Sequence, residues 1–404
     1  MANVVFVAPY ALDATVRFVR AVVGAPEARV GLVSSDPVER FPREVRAGID
    51  AHWRIDDCLD PEALAGAVTA MASSLGPVDR LLAILENLQV PLAEVRERLG
   101  IDGIGVEVAN NFRDKAQMKA VFEVAGVPCA RSRQARSALE AEGFADEIGL
   151  PLVVKPPAGM GALNTFRVED NEQLDQWLHA APPTHDRPVL LEEFLVGEEH
   201  SFDSVLVDGR MVWLSISRYL PTPLDVLENP WIQWCVLLPR DIDDRADIGA
   251  IATRAITALG LRTGLSHMEW FRRPDGSAAV SEVGARPPGA QFMTLLSWAH
   301  DTDLYAAWAE LAIHDRFEPP DRSFAVGAVY LRAQGRGPSI HAVHGLDRIS
   351  DATRSSIVEA RLPTAGGAPA STYEGDGFVV VRDPDTAAVE RALAELVTTI
   401  RVER

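Results

Sequence analysis

The chain has 404 residues, more than one ordinary hydrophobic core accommodates, which predicts two or three domains. Its composition, with 47% hydrophobic and 24% charged residues, is that of a globular protein, and no apolar run is long enough for a transmembrane helix. The formal net charge of -19 excludes nucleic acid and anionic membranes as favourable partners.

The start of the chain and its cysteines predict a cytoplasmic protein. Met1 leads directly into an apolar strand, without the basic segment of a signal peptide. The three cysteines, Cys58, Cys129 and Cys235, are widely spaced and show no CxxC pattern. This spacing disfavours both a disulfide framework and a zinc site.

The first 112 residues alternate between predicted strands and helices. The predicted strands cover residues 3–8, 28–34, 52–55 and 80–85. Helical patterns lie between them, such as the one over residues 61–75, which begins with proline. This alternation predicts a small parallel α/β sheet. The first strand-to-helix turn has no G-x-G-x-x-G pattern, so we expect no dinucleotide there.

Two polar residues, Glu86 and Asn87, follow the fourth predicted strand. Open α/β sheets place ligand contacts at such positions, so these side chains could touch a substrate. Residues there more often cap the next helix, and we favour the cap on frequency alone.

Lysine is rare in this chain and occurs only at Lys115, Lys119 and Lys155. A compact ammonium suits a phosphate cluster better than a planar guanidinium, although compositional drift also explains any single lysine. The first two lie in a helix predicted over residues 111–126, where Glu123 is an ordinary surface partner for Lys119. We therefore expect a functional role for Lys115 and a structural role for Lys119.

A strand that ends in Lys155 leads into a glycine-bearing loop, residues 156–164. Gly159 and Gly161 allow backbone N–H groups to turn toward phosphate oxygens while the lysine supplies the charge. The loop is not a Walker A motif, because the lysine precedes the glycines. Together, lysine, loop and following strand predict a phosphate-binding unit in a compact subdomain of about residues 130–193.

An acidic run ends the next apolar strand, which begins at residue 189. The run contains Glu192, Glu193, Phe194, Leu195 and Glu199. An extended segment of this kind can present backbone groups to a purine edge, and Glu199 can accept hydrogen bonds from ribose hydroxyls. Taken alone, these glutamates would more often form a solvated strand end.

The most informative stretch, residues 264–289, predicts a β-hairpin. Asp-Gly at residues 275–276 separates two alternating runs and indicates a two-residue turn. That turn places Glu269 opposite Glu282, with His267 and Gly284 on the same face. The opposite face, which suits burial, carries Met268, Trp270, Ala279, Ser281 and Val283.

Two facing carboxylates repel each other by about 0.2–1 kcal/mol unless a cation lies between them. Mg²⁺ fits this position, because it accepts one or two carboxylates and takes its other oxygens from waters and substrate phosphates. A solvated hairpin face with a register shifted by one residue is equally compatible with the hairpin alone.

Predicted strands and helices continue to the end of the chain. We predict helices over residues 241–259, 303–313 and 385–400, and strands over residues 202–206, 211–218, 325–331 and 377–381. The proline- and tryptophan-rich stretch 220–234 either covers a substrate or serves packing.

Taken in order, these motifs resemble the ATP-grasp superfamily over about residues 113–315. The resemblance implies an α/β (α+β) ATP-grasp fold in three parts. These are an N-terminal parallel α/β domain over residues 1–112, an ATP-grasp module over 113–320 with a mobile glycine-loop lid over about 130–193, and a C-terminal α/β segment over 321–404 that completes the large domain.

The resemblance also implies how ATP is held. Lys115 and Lys155 would contact the phosphates beneath the glycine loop. Residues 192–195 would line the adenine, and Glu199 would hold the ribose.

Glu269 and Glu282 would bind two Mg²⁺ ions, for which Mn²⁺ could substitute. Many members of the superfamily have Asn two residues after the second metal glutamate, whereas this chain has Gly284, so Glu282 would have to bridge both ions. A small residue there, with His267 and Arg286 nearby, is similar to the carboxylate–amine ligase branch that includes bacterial L-amino acid ligases, which make dipeptides. By that similarity, His267 contacts the acyl group and Arg286 the transferring phosphate.

The implied activity is that of an ADP-forming ligase, with Arg286, His267 and Lys155 as catalytic residues. It would join a carboxylic or amino acid to an amine or amino acid through an acyl phosphate, with small molecules as partners and a homodimer as a compatible assembly. The alternatives are a biotin-carboxylase-like enzyme that activates bicarbonate and a non-catalytic nucleotide-binding module. The sequence does not identify the acid or the amine.

Overall fold

The computed structural model describes residues 1–159, 164–229, 231–242 and 245–404. Gly161, which the sequence predicts for the glycine loop, lies outside the described residues. The described strands form four sheets. No helix in the described ranges combines the length and the apolar character needed to cross a bilayer.

The N-terminal sheet has four parallel strands, as predicted. The strands are β1 (Ala2–Val7), β2 (Ala28–Ser34), β3 (Ala51–Arg54) and β4 (Arg80–Leu82), in the order β3-β2-β1-β4. The helices are α1 (Asp13–Val23), α2 (Arg43–Arg46), α3 (Pro61–Leu75), α4 (Gln89–Leu99) and α5 (Val106–Arg113). Alternate side chains of β1 enter two different cores, Val4 and Phe6 on one face and Val5 and Val7 on the other. Burial of both faces is what a parallel sheet requires.

The single helix predicted over residues 111–126 is wrong, because the chain forms two helices there. α5 ends and α6 (Lys115–Ala125) begins at Asp114, whose carboxylate accepts hydrogen bonds from two backbone N–H groups in the first turn of α6. An aspartate in this position stabilises a new helix start. Lys115 is therefore the first residue of a helix, directly beside the break.

A second sheet, which is antiparallel, carries the predicted phosphate-binding lysine. Its elements are β5 (Ser132–Ala135), α7 (Ala138–Ile148), β6 (Leu152–Lys155), β7 (Phe166–Val168), α8 (Asn171–Ala180) and β8 (Val189–Glu193), and the strand order is β5-β8-β6-β7. This sheet has its own apolar core around Leu152 and Phe144. Since β6 pairs with β8, Lys155 lies beside Glu192.

An eight-stranded sheet supplies the remaining site residues. In chain order, this part of the protein begins with β9 (Glu198–Val207), β10 (Arg210–Leu220), α9 (Pro223–Glu228), β11 (Trp234–Leu238), α10 (Arg245–Leu259), β12 (Gly264–Arg272), β13 (Ala278–Gly284), α11 (Phe292–His300), α12 (Leu304–His314) and β14 (Ala325–Leu331). The chain then continues through β15 (Ala333–Gln334), β16 (Ala342–His344), α13 (Asp351–Ser356), β17 (Ile357–Arg361), β18 (Gly377–Asp383), α14 (Thr386–Thr399) and β19 (Arg401–Glu403). The order in the large sheet is β13-β12-β9-β10-β11-β14-β18-β17, and β15, β19 and β16 form a small sheet. The division into domains stays a prediction.

The hairpin of β12 and β13 has the predicted pairs at its open end but a different turn. Glu269 pairs with Glu282, as the alternation predicts. The two-residue turn is wrong, because the backbone N–H of Arg273 donates to the carbonyl of Ser277 at 2.8 Å and closes a three-residue loop. Gly276 in that loop has a φ of 83°, a left-handed conformation that glycine adopts without a steric cost.

A β-bulge at Ser281 compensates for the longer turn. Trp270 pairs with Val280, whereas the neighbouring Glu269 pairs with Glu282, so Ser281 is the extra residue. The two carboxylates therefore face each other because the bulge returns the register to the predicted value.

The bulge also changes which residues are buried. Met268, Trp270 and Val283 are buried in the core, as predicted. Ala279 is also fully buried, as predicted, while Ala278 and Val280 join that core and Ser281 does not. Ser281 instead lines the cavity described below.

Candidate active site

A cavity of about 770 Å³ lies where the N-terminal sheet, the small antiparallel sheet and the large sheet meet. All described residues that the sequence predicted for the site line this cavity. They are Lys115, Lys155, Gly159, Glu192, Glu193, Phe194, Leu195, Glu199, His267, Glu269, Glu282 and Arg286. The fold thus brings together side chains that are up to 171 positions apart in the sequence, and their individual roles remain proposals.

Acidic side chains crowd one face of three neighbouring strands. Burial raises the pKa of Glu199 well above its usual value, and the charges of Glu269 and Glu282 raise it further. Burial would also raise the pKa of Glu282, but Lys115 and Lys155 lower it to about 2. Glu282 is therefore ionised at neutral pH next to other acids, an arrangement that fits a divalent cation. Within the described ranges, no three His, Cys, Asp or Glu side chains group as a complete metal cage.

Lys115 joins the Glu282 carboxylate to the glycine loop. Its Nζ lies 2.9 Å from Oε2 of Glu282 and donates a hydrogen bond to the carbonyl of Gly159 at 3.2 Å. The first part of the loop is held at the break between α5 and α6, because Arg113 also donates to the Gly159 carbonyl, at 2.7 Å. A flexible ammonium in this position can contact a phosphate without losing its link to the loop.

Lys155 is almost fully buried and lies 2.9 Å from Oε2 of Glu192. Burial would lower the pKa of Lys155, but the charges of Glu192 and Glu282 raise it above its usual value. Lys155 is therefore a fixed positive charge on the floor of the cavity.

Lys119 is buried, and the predicted surface pair with Glu123 is wrong. Its Nζ donates hydrogen bonds to the carbonyls of Ser281 and Val280, at 2.8 and 3.3 Å, and lies 3.5 Å from Oε1 of Glu192. The ammonium therefore binds the backbone at the bulge of β13, which no pattern in the sequence indicates.

His267 extends into the cavity from β12. Its Nδ1 lies 2.7 Å from Oδ1 of Asp203, and its Nε2 lies 3.4 Å from the hydroxyl of Tyr219 and 3.8 Å from Oε1 of Glu269. Burial would lower the pKa of His267, but Asp203 and Glu269 raise it to about 9. The imidazole therefore carries N–H donors on both sides at neutral pH.

Arg286 contacts Glu86, whose role the sequence left open. The Nε of Arg286 donates to Oε2 of Glu86, and its Nη1 donates to the carbonyl of Pro287 at 2.8 Å. Neither Glu86 nor Asn87 caps a helix. Glu86 instead lines the cavity.

The Glu86–Arg286 pair explains why a glycine is suitable at residue 284. A Cβ added to Gly284 would lie 3.5 Å from Oε2 of Glu86 and 3.7 Å from Cγ of Arg286. The Cβ itself fits, but a longer side chain would displace the ion pair. Gly284 therefore supplies space for Arg286 rather than a ligand.

Several residues of the cavity were not predicted from the sequence. Aromatic walls come from Tyr219, Phe292, Tyr305 and Tyr373, beside Trp234 at the end of the predicted stretch 220–234. No local pattern marks them, because their convergence depends on how strands and helices pack. Asp203 does carry a signal that could have been used, since it is a charged residue inside the predicted strand 202–206, which begins with Phe202 and ends with Leu206.

Comparison with known proteins agrees with this fold. Residues 114–215 match the family model for the ATP binding domain of the carbamoyl-phosphate synthase L chain. An L-arginine-specific L-amino acid ligase of Bacillus subtilis is 22% identical over 282 residues, which are 67% of this chain and 68% of that protein. An alanine–anticapsin ligase of Bacillus subtilis is 26% identical over 261 residues, which are 59% of this chain and 54% of that protein.

Among solved structures, an L-amino acid ligase from Bacillus licheniformis matches with a TM-score of 0.80 and 18% identity, over 100% of this chain and 98% of that chain. This structural similarity shows that the chain has the fold of the ATP-grasp enzymes. Its sequence is similar to those of an L-amino acid ligase and of alanine–anticapsin ligases.

Proposed function

We propose that this protein is an ADP-forming carboxylate–amine ligase that joins a carboxylic or amino acid to an amine or amino acid. One observation carries the proposal. Glu269 and Glu282 face each other across β12 and β13 inside a cavity that also holds Lys155, His267 and Arg286. Metal-binding acids, phosphate-binding cations and donors for an acyl group thus line the same space.

ATP would lie between the four-stranded antiparallel sheet β5-β8-β6-β7 and the large sheet. Lys115 and Lys155 would contact its phosphates, since their present partners are carboxylates that a phosphate can replace. Residues 192–195 would line the adenine, and Glu199 would hold the ribose. A protonated Glu199, which its raised pKa favours, can also donate a hydrogen bond to a ribose oxygen.

Glu269 and Glu282 would hold two Mg²⁺ ions, or Mn²⁺ in their place, and Gly284 would add no side-chain ligand. When bound, Mg²⁺ neutralises charge on the β- and γ-phosphates and aligns them for transfer. Lys115 would then leave Glu282 for the phosphates, so that Glu282 becomes free to bind metal.

The first step activates the acid. A carboxylate is a poor electrophile, so one of its oxygens attacks the γ-phosphate of ATP, which produces an acyl phosphate and ADP. Lys155 and Arg286 lie on the cavity wall, where they stabilise the negative charge of the transferring group.

The second step forms the amide. The amine nitrogen attacks the acyl carbon, and His267 and Arg286 donate hydrogen bonds to the oxyanion that develops. Water would hydrolyse the acyl phosphate, which gives the glycine loop a function as a cover over the cavity.

A screen for phosphate release with ATP, Mg²⁺ and pairs of amino acids tests the proposal. We expect wild-type protein to release phosphate and form an amide only when a suitable acid and amine are both present. Glu282→Gln and Lys155→Ala should abolish both, because the first removes a proposed metal-binding carboxylate and the second a proposed phosphate-binding cation. Far-ultraviolet circular dichroism verifies that the variants are folded.

Glu123→Gln is the matched control, because Glu123 lies on the exposed side of α6. Retained turnover in Glu282→Gln or Lys155→Ala would rule out the proposed site. Nucleotide binding without phosphate release for any pair would indicate a non-catalytic module, and turnover that depends on bicarbonate would indicate a carboxylase-like enzyme.

A further inference from the structure

Asp203 is a buried charge directly beneath the cavity. It lies in the middle of β9 and is 1% exposed. In the ladder between β9 and β12, Asp203 lies opposite His267. A carboxylate so deep in a buried strand is costly unless neighbouring groups satisfy it.

Both oxygens of Asp203 have partners. Oδ1 lies 2.7 Å from Nδ1 of His267, and Oδ2 accepts a hydrogen bond from the hydroxyl of Ser201 at 3.0 Å. The hydroxyl of Ser201 in turn lies 2.7 Å from that of Ser217 on β10. Three neighbouring strands therefore fix the carboxylate in one orientation.

Asp203 in turn fixes the imidazole of His267. Since Nδ1 is bound to the carboxylate, Nε2 is the nitrogen that remains on the cavity side, 3.4 Å from the Tyr219 hydroxyl. The ring also packs against Phe292, with ring centroids 5.4 Å apart at 63°. Hydrogen bond and ring contact together hold His267 in a single rotamer.

We propose that Asp203 is a positioning residue for the amide-forming step, an inference that rests on the proposed function. In that step the amine nitrogen forms a bond to the acyl carbon, the bond from that carbon to the phosphate oxygen breaks, and the amine proton leaves with the phosphate. His267 contacts the acyl oxygen through Nε2. Asp203 does not touch the substrate and acts by aiming that nitrogen.

The two half-reactions should therefore depend on Asp203 to different extents. Phosphoryl transfer to the acid depends on Lys155 and Arg286 and on the proposed metal ligands Glu269 and Glu282. Asp203 contacts none of these side chains. Amide formation depends on the aim of His267. A residue with only a structural role would weaken both half-reactions together.

The experiment measures the two half-reactions separately in Asp203→Asn, which keeps the shape of the side chain and removes its charge. Hydroxylamine traps the acyl phosphate as a hydroxamate, so hydroxamate and ADP report the first half-reaction. Amide product formed with the best amine from the screen reports the second half-reaction. We expect the rate of hydroxamate formation to stay within about threefold of wild type. Amide formation should be at least about tenfold slower, the usual effect of losing a residue that orients a side chain in contact with the substrate.

Ser204→Ala is the matched control. Ser204 is the next residue of β9, is equally buried, and hydrogen-bonds Ser266 of the same neighbouring strand at 2.7 Å. Its side chain lies on the opposite face of the sheet, so both half-reactions should be unchanged.

His267→Ala and the double variant with Asp203→Asn test whether Asp203 acts through His267. If it does, the double variant forms amide no more slowly than His267→Ala alone. Additive losses, an equal fall in hydroxamate and amide, or an Asp203→Asn enzyme that matches wild type would each overturn the inference.

Ser201→Ala keeps the test decisive if Asp203→Asn does not fold. This variant removes the hydrogen bond to Oδ2 and leaves the charge in place, so amide formation should fall several-fold while hydroxamate formation stays near wild type. An unchanged ratio of the two products would overturn the inference. Failure of the proposed function is distinct, since wild-type protein would then form neither ADP nor hydroxamate with any acid.

Discussion

Arg286 donates hydrogen bonds in two directions at the wall of the cavity, to the Glu86 carboxylate and to the Pro287 carbonyl. A guanidinium can keep one of these contacts and still present a donor pair to a phosphate, whereas an ammonium has no planar fork. The chemistry of this residue therefore depends on its shape as well as its charge.

We predict that Arg286→Lys lowers kcat by about 10²-fold, the usual effect of losing one donor to a developing charge. The measurement is steady-state phosphate release with the best acid and amine. Arg80→Lys is the control, because Arg80 forms ion pairs with Asp102 and Asp315 away from the cavity. A rate for Arg286→Lys equal to that of the control would mean that Arg286 does not act on the phosphate.

Single residues were predictable where their chemistry was unusual for the chain. Lys115 and Lys155 were found because lysine is rare, and both line the cavity. Lys119 was assigned the wrong partner. Its helical spacing to Glu123 is visible in the local sequence, whereas its burial against β13 depends on tertiary packing. Tyr219 gave no signal at all, since one tyrosine in a strand is ordinary.

At the scale of elements, the bulge in β13 determines how the hairpin presents its acids. Lys119 binds both carbonyls at the bulge and also lies 3.5 Å from Glu192, so its ammonium has a partner for each of its three N–H donors. The same ammonium thus joins α6, β8 and β13.

We predict that Lys119→Met destabilises the fold by about 3–5 kcal/mol, because it leaves buried carbonyls unpaired and Glu192 with one cation instead of two. Urea unfolding followed by tryptophan fluorescence measures this loss. Glu123→Gln, which removes the surface partner expected from the sequence, should have almost no effect. If the two variants were equally stable, the buried contacts of Lys119 would contribute nothing.

The hairpin shows how far a sequence pattern extends. The alternation of side chains along the strands and the Asp-Gly turn signal correctly predicted that Glu269 lies opposite Glu282. The turn, however, has three residues instead of two. A bulge at Ser281 compensates, and that bulge depends on a contact with Lys119 that is 162 positions away. Local patterns therefore predicted the element and its facing acids, while its turn and its bulge depend on tertiary contacts.

At the scale of the whole molecule, the site combines three sheets in a strongly acidic chain. The net charge of -19 repels nucleotide phosphates at long range, so binding depends on the few cations that the fold places in the cavity. The order of motifs along the chain predicted the ATP-grasp fold. It did not predict the aromatic walls, because they come from β10, α11, α12 and the segment before β18, which meet only in the folded protein.

The proposed function requires Glu269 and Glu282 together to hold divalent ions against the phosphates of the nucleotide. The most direct measurement is Mn²⁺ binding by electron paramagnetic resonance, with the protein saturated by a non-hydrolysable ATP analogue. We predict tight Mn²⁺ binding by wild-type protein and at least about tenfold weaker binding by Glu269→Gln and by Glu282→Gln. Mn²⁺ affinity equal to wild type in both variants would contradict the account.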